Sequence, residues 1–236
     1  MQTTSTPSLP NPAEQALGLL AQGKAEQAAA LLRAQLKAHP THGAAWHAFG
    51  CVALANGNAE AAVHCANKAL ALQPQAHFYI TLGQALLVLG HAEQARAALN
   101  VAIMEAPRDP RAHQTMAEAL EALGRIDDAA QALRNALRLR PLEAERHLAL
   151  AAFLARHGWV AEAITTSGHA LGLEPDNIFT QNQHAMLLER AGRLAGAAPF
   201  FEEVASARPT DAAALANYGA ALFAQGAYEP ARSVLL

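Results

Sequence analysis

The sequence has few of the residues that β-sheets and nucleic-acid-binding proteins require. Aromatic residues make up 5% and charged residues 16% of the 236 residues. Strands favour aromatic and β-branched side chains, so this composition argues against a sheet protein. Only three lysines are present, and 17 basic against 20 acidic side chains give a net charge of -3. Phosphate backbones are bound by clustered positive charge, and we therefore expect no nucleic-acid partner.

The sequence also has few cysteines, no pattern that is typical of a secretion signal and no long uninterrupted apolar run. Two cysteines, Cys51 and Cys65, are too few for a disulfide framework or a four-ligand zinc site. Residues 1–10 have neither a basic nor an apolar region, which predicts a disordered tail rather than a secretion signal. The longest run without charge, between Lys68 and Glu93, is interrupted by polar residues, proline and glycine. We expect no membrane span and a cytoplasmic location.

Alanine is abundant, and a fixed period organises the chain. About a quarter of the residues are alanine, the best helix former, which predicts an all-α fold. Glycine recurs every 33 or 34 residues, at Gly23, Gly57, Gly90, Gly124, Gly158, Gly192 and Gly226. Such a period is typical of a solenoid.

Two further series share this period. An alanine follows each glycine by five residues, at Ala28, Ala62, Ala95, Ala129, Ala163, Ala197 and Ala231. A proline follows by seventeen residues, at Pro40, Pro74, Pro107, Pro141, Pro175 and Pro209. Glycine supplies the positive φ that ends a helix, and proline stops the next one. Each repeat is therefore predicted to be a helix, a turn, a second helix and a second turn.

The second repeat of the period resembles the tetratricopeptide repeat (TPR). Its matching residues are Trp46, Phe49, Gly50, Ala53, Gly57, Ala62, Ala69 and Pro74. The resemblance, to a bacterial-type tandem TPR protein, implies a right-handed α-solenoid of antiparallel helix pairs over residues 9–236. The repeats are predicted at 9–42, 43–75, 76–109, 110–143, 144–177, 178–211 and 212–236, the last of them incomplete.

No motif in the sequence indicates catalysis or metal binding. The eleven histidines do not pair with carboxylates at the spacing of a metalloprotease helix. His113 and His147 occupy the repeat position of Trp46, which predicts partly buried spacers. Ser167 lies inside a predicted helix and not at a nucleophile elbow. We therefore predict no enzyme activity, no catalytic residue, no cofactor and no metal.

The resemblance implies that one stripe of each first helix lines a concave groove. The stripe positions are Ala44, His47, Cys51 and Leu54; His77, Ile80, Gln84 and Leu87; Arg111, Gln114, Glu118 and Glu121; Glu145, Leu148, Ala152 and Ala155; Phe179, Asn182, Met186 and Glu189. From these and the neighbouring Arg190, the candidate peptide-binding residues are His47, Cys51, His77, Gln84, Gln114, Glu118, Glu121, Asn182, Met186, Glu189 and Arg190. The stripe carries no lysine and only scattered arginines, unlike the carboxylate clamp of chaperone-binding members.

The function predicted from these features is a scaffold or adaptor that binds a protein or peptide segment in the groove. Two alternatives stay open. The repeats could form the substrate-recruiting arm of a longer enzyme, such as a bacterial glycosyltransferase. They could also form a homo-oligomer through an uncapped last repeat, where the candidate surface residues are Tyr218, Leu222, Phe223 and Leu235. Occupation of the groove by the N-terminal tail is left open as well.

Overall fold

A computed structural model describes residues 11–235, which form fourteen α-helices and no strand. The helices are α1 (Pro12–Ala21), α2 (Ala25–Ala38), α3 (Gly43–Ala55), α4 (Ala59–Leu72), α5 (Ala76–Val88), α6 (Ala92–Glu105), α7 (Pro110–Ala122), α8 (Ile126–Leu139), α9 (Ala144–Arg156), α10 (Val160–Leu173), α11 (Ile178–Arg190), α12 (Leu194–Ala207), α13 (Ala212–Ala224) and α14 (Tyr228–Leu235). The all-α repeat fold predicted from the sequence is confirmed. The predicted tail, residues 1–10, lies outside the described residues.

The glycine and proline series set the helix boundaries. Each odd-numbered helix ends two residues before a series glycine, whose φ lies between 72° and 86°. Each even-numbered helix from α2 to α12 ends two residues before a series proline. A left-handed glycine closes the last turn of a helix, and a proline cannot extend one. We call the odd-numbered helices first helices and the even-numbered ones second helices.

The chain divides into two compact units, with the division after Ala129 in α8. In the first unit, α1, α3 and α5 each pack on their own second helix, and α2, α4 and α6 pack on the following first helix. The first helices also contact one another in the order α1, α3, α5 and α7. In the second unit, α9, α11 and α13 pair with α10, α12 and α14, and α9 contacts α11.

The alanine series fills the contact between the helices of a pair. All seven of these alanines are at most 3% exposed. The largest fully buried side chains include Phe78, Leu99, Phe153 and Phe201. Small side chains at the crossing let two helices approach closely, so that these large side chains fill the remaining space without voids.

A hydrogen bond that recurs in several repeats explains two of the histidines. Nε2 of His113 contacts the carbonyl oxygen of Pro107 at 3.0 Å, and Nε2 of His147 contacts that of Pro141 at 2.9 Å. Trp46 and Gln181 donate to a proline carbonyl six residues earlier in the same way, at 2.8 Å each. A proline that ends one repeat thus receives a bond from the first helix of the next. His113 and His147 were both predicted to be partly buried; His113 is partly exposed, and His147 is only 9% exposed.

The helix pair in the third repeat leaves no room for a side chain at Gly83. A Cβ atom there would lie 2.8 Å from Cγ of Leu99, which is fully buried. We expect Gly83→Ala to lower the free energy of unfolding by about 1–3 kcal/mol, because the packed core must shift. Urea unfolding followed by circular dichroism measures this change.

The control is Gly18→Ala in α1, where a Cβ would have no heavy atom within 4 Å. This substitution should raise the free energy of unfolding by about 0.5–1 kcal/mol, because alanine is the better helix residue. Equal destabilisation by both substitutions would contradict the close helix approach at Gly83.

Candidate functional site

The predicted groove residues lie on α3, α5, α7 and α11, and none of the eleven is fully buried. Gln84, Glu118, Met186 and Arg190 are exposed, and the others are partly exposed. The wider stripe was wrong at Ile80, which is only 4% exposed and packs with Ala102 and Ala112. Ala155 is also only 4% exposed, but it lines a cavity between α9 and α11. We call the exposed side of the odd-numbered helices the first-helix face.

A polar cluster forms on the first-helix face of the first unit. Nε2 of His47 lies 2.9 Å from Oγ1 of Thr81 and 3.5 Å from Sγ of Cys51. The Thr81 hydroxyl donates to the carbonyl oxygen of His77 at 3.2 Å, so the protonated Nε2 of His47 donates to Thr81. The His47 ring also stacks on Phe78, with ring centroids 4.7 Å apart. The sequence predicted three members of this cluster but not the buried Thr81 and Phe78.

Arg111 at the start of α7 adds a positive charge near this cluster. Its guanidinium donates to both carboxylate oxygens of Asp109, at 3.1 and 2.7 Å. Burial, then the charges of His77 and Arg111, lower the pKa of His47 from 6.5 to about 4. Burial and the Arg111 charge also lower the pKa of His77. Both imidazoles are therefore neutral at pH 7.

The chemistry of Cys51 follows from the same surroundings. Burial raises the pKa of the Cys51 thiol, and this effect exceeds the opposing effects of the contact with Thr81 and of the Arg111 charge. A neutral thiol beside a neutral imidazole is a poor nucleophile, because the thiolate is the reactive form. Within residues 11–235, no group of three or more histidine, cysteine, aspartate or glutamate side chains could hold a metal ion.

A serine–histidine contact in the second unit also lacks the geometry of a catalytic site. Oγ of Ser167 lies 2.8 Å from Nδ1 of His184 and donates to the carbonyl oxygen of Ile164 at 3.0 Å. Ser167 is fully buried in α10. A buried hydroxyl that is bonded within its own helix cannot reach a substrate, so this pair is a packing contact.

Two neighbouring carboxylates lie on α7. Partial burial, then the charge of Glu121, raise the pKa of Glu118. Like charges one helical turn apart disfavour the ionised form. The predicted residues Gln114, Glu118 and Glu121 thus place one neutral amide and two acidic side chains on the same helix as Arg111.

The second unit has two adjoining cavities between α9 and α11. The larger has a volume of about 420 Å³, and its lining includes Glu145, Leu148, Ala152, Phe179 and Gln183. The smaller measures about 190 Å³ and shares Leu148, Ala152 and Gln183 with the first. Together they form one elongated depression, which we call the α9–α11 trough.

Three of the predicted groove residues border the trough or contact its border. Met186 and Arg190 line the smaller cavity. The Asn182 side chain lies 3.7 Å from Sδ of Met186. Glu174 and Asn177, which sequence reasoning did not assign, line the larger cavity from the turn between α10 and α11. These two residues reach the cavity because the chain turns back between α10 and α11. The spacing of residues within one helix does not predict such a position.

The predicted oligomer surface is divided in the structure. Tyr218 and Leu222 are partly buried, and Tyr218 packs against the cluster around Phe201. Phe223 and Leu235 are 65% and 57% exposed. They line an apolar cavity of about 660 Å³ on α13 and α14.

No helix among residues 11–235 is long and apolar enough to cross a membrane.

Stability should depend on pH through His47. Its pKa is lowered on folding, so below pH 6.5 the unfolded chain binds a proton that the folded chain rejects until about pH 4. The free energy of unfolding should therefore fall on acidification across this interval, by up to about 3 kcal/mol from this group. The ¹H NMR titration of the His47 ring should give a midpoint near pH 4.

The variant His47→Gln should lose less stability than the wild type between pH 7 and pH 5, as measured by urea unfolding. His91→Gln removes an exposed imidazole on the same unit and is the matched control. A midpoint for His47 at pH 6.5 or above would contradict the burial described for this ring.

Comparisons with known proteins agree with this architecture. The tetratricopeptide repeat family matches residues 115–171 and residues 188–236. The family of the anaphase-promoting complex, cyclosome, subunit 3, matches residues 55–136. No curated protein matches the sequence closely enough to count as a relative.

Several solved structures are similar to this fold. A thermophilic TPR protein from Thermus thermophilus is 26% identical, with a TM-score of 0.67 over 75% of this chain and 97% of that chain. PilW, a widely conserved type IV pilus biogenesis factor, is 16% identical, with a TM-score of 0.76 over 89% and 96% of the two chains. PilF of Pseudomonas aeruginosa is 20% identical, with a TM-score of 0.68 over 88% and 93%.

The period, the helix pairs and these similarities agree with one another. The chain belongs to the tetratricopeptide repeat family, as a tandem-repeat protein with an all-α solenoid fold.

Proposed function

We propose that this chain is a non-catalytic scaffold that binds a peptide or protein segment on the first-helix face. The TPR fold itself suggests a protein–protein interaction role in general. The observation that carries the finer proposal is the α9–α11 trough, an open depression bordered by exposed apolar side chains. Phe179 and Met186 are 55% and 46% exposed there. Exposed large apolar side chains around a depression are typical of an interaction site.

The chemistry of the face favours binding over catalysis. The candidate nucleophiles are a neutral thiol at Cys51 and, outside this face on α10, a buried hydroxyl at Ser167. The exposed Gln84 and Glu118 can bond a peptide backbone or a basic side chain. The first-helix face therefore offers polar groups in the first unit, and in the second unit it offers exposed apolar groups.

Panning a phage-displayed library of random dodecapeptides on the intact protein tests the proposal. We expect specific peptides to be enriched and to lose at least about tenfold in affinity when the face is altered by Glu118→Lys or Arg190→Glu. Charge reversal at a contacted position costs about 1.4 kcal/mol or more, which corresponds to that factor. Fluorescence anisotropy with the enriched peptides measures the affinity.

Two charge reversals away from the face are the controls. Glu105→Lys at the end of α6 and Arg108→Glu in the following turn change exposed residues by the same charge. Both should keep wild-type affinity, and all four variants should keep the helical circular dichroism spectrum. Enriched peptides that bind both first-helix variants normally would sink the proposal, as would a library that yields no binder.

A further inference from the structure

The α9–α11 trough has acidic side chains at one end and a basic side chain at the other, and this arrangement indicates which ligand it binds. We propose that it binds a linear apolar segment with a basic side chain at one end and an acidic group at the other. This inference rests on the proposed function and names the chemistry of the partner in the second unit. The proposed ligand is a segment of another protein.

The apolar part of the ligand follows from the lining of the trough. Leu148 and Ala152 of α9 form part of both cavities. Phe179 and Met186 of α11 border the opening with exposed side chains. Because alanine reaches only a short distance from the helix, Ala152 leaves space that an apolar side chain of a ligand can fill. Burial of that side chain supplies the main binding energy.

One end of the trough is acidic. Glu145 and Glu174 both line the larger cavity, and both are exposed. Oε2 of Glu174 accepts a bond from Nδ2 of Asn177 at 2.7 Å, which fixes this carboxylate at the rim. Two carboxylates that line one cavity attract a lysine or arginine side chain.

The opposite end is basic. Arg190, the last residue of α11, lines the smaller cavity beside Met186. Among residues 11–235, neither Glu145 nor Arg190 has an ion-pair partner. Glu174 precedes α11 and Arg190 is its last residue, so the two ends of the trough are separated along this helix. A ligand that is neutral or singly charged would leave one of these ends without a counter-charge.

Helix geometry gives the spacing between the two charges. Phe179 lies next to the acidic end and Arg190 marks the basic end. The eleven residue steps from Phe179 to Arg190 rise roughly 16 Å along α11. An extended peptide covers this distance with about five residues. The expected ligand therefore has about five mainly apolar residues between a basic and an acidic side chain.

The chain's own N-terminal sequence does not fit this description. Residues 1–10 contain no charged side chain. They cannot satisfy the acidic and the basic end together, which favours a separate protein as the occupant.

Four synthetic peptide pools test the inference on the intact protein. Each pool has five positions randomised among alanine, valine, leucine, isoleucine, methionine and phenylalanine. The flanking residues are lysine and aspartate, in that order or reversed, or two lysines, or two aspartates. Because chain direction is open, we expect one of the mixed pools to bind best, with each like-charge pool about fivefold weaker.

A variant that changes which peptide pool binds best must still be folded. Such a change therefore distinguishes an effect of the charges from a loss of folding. Arg190→Glu makes both ends acidic, so the two-lysine pool should become the tightest binder. Glu145→Lys should weaken the preferred mixed pool, and Ala152→Trp should abolish binding by filling the trough. Ala161→Trp, at an exposed position of α10, is the control and should bind normally.

Equal binding of all four pools would overturn the inference, and so would unchanged specificity in Arg190→Glu. Binding of none of the pools would overturn it too. If dodecapeptides from the random library still bind the first-helix face in that case, the proposed function stands and only this ligand assignment fails. Uncharged peptides that match residues 1–10 and compete with the mixed pool would assign the trough to the tail.

Discussion

The close approach of the two helices in each repeat is the constraint on which the rest of the structure depends. The seven alanines that follow the series glycines are almost completely buried. In the third repeat, even a methyl group at Gly83 would collide with Leu99. Such contacts determine how near the helices lie, and the left-handed glycine between them sets the turn. Each pair then presents the same side of its first helix.

The candidate site is a consequence of this repetition. Because α3, α5 and α7 contact one another in sequence, side chains separated by about one repeat become neighbours. His47 reaches Thr81 across 34 residues in this way. In the second unit, the contact between α9 and α11 brings Leu148 and Gln183 to one trough. The fold supplies a repeated surface, and the variable side chains on it decide what binds.

The sequence predicted the helix pairs because glycine and proline act locally. Gly124 ends a helix and Pro141 stops the next one whatever lies around them. Helical periodicity also determines which residues share a face, and most of the stripe positions are at least partly exposed. Ile80 was misplaced because an apolar side chain at the edge of the stripe turns into the packing.

The remaining features could not be predicted from spacing. Thr81 joins the His47 cluster, and Glu174 joins the trough, through contacts between separate helices. The bonds from His113 and His147 to proline carbonyls link one repeat to the next. All of these depend on the distance and angle between packed elements, and a local pattern carries neither quantity.

The methionine methyl groups offer the most direct measurement of the central claim, that ligands bind the first-helix face. Met186 lies on a first helix and is 46% exposed, whereas Met104 lies on a second helix and is 74% exposed. In ¹³C-methyl NMR spectra of the intact protein titrated with a peptide enriched from the random dodecapeptide library, the Met186 signal should shift and the Met104 signal should not. A shift at Met104 with an unchanged Met186 would place binding on the second helices and contradict the account.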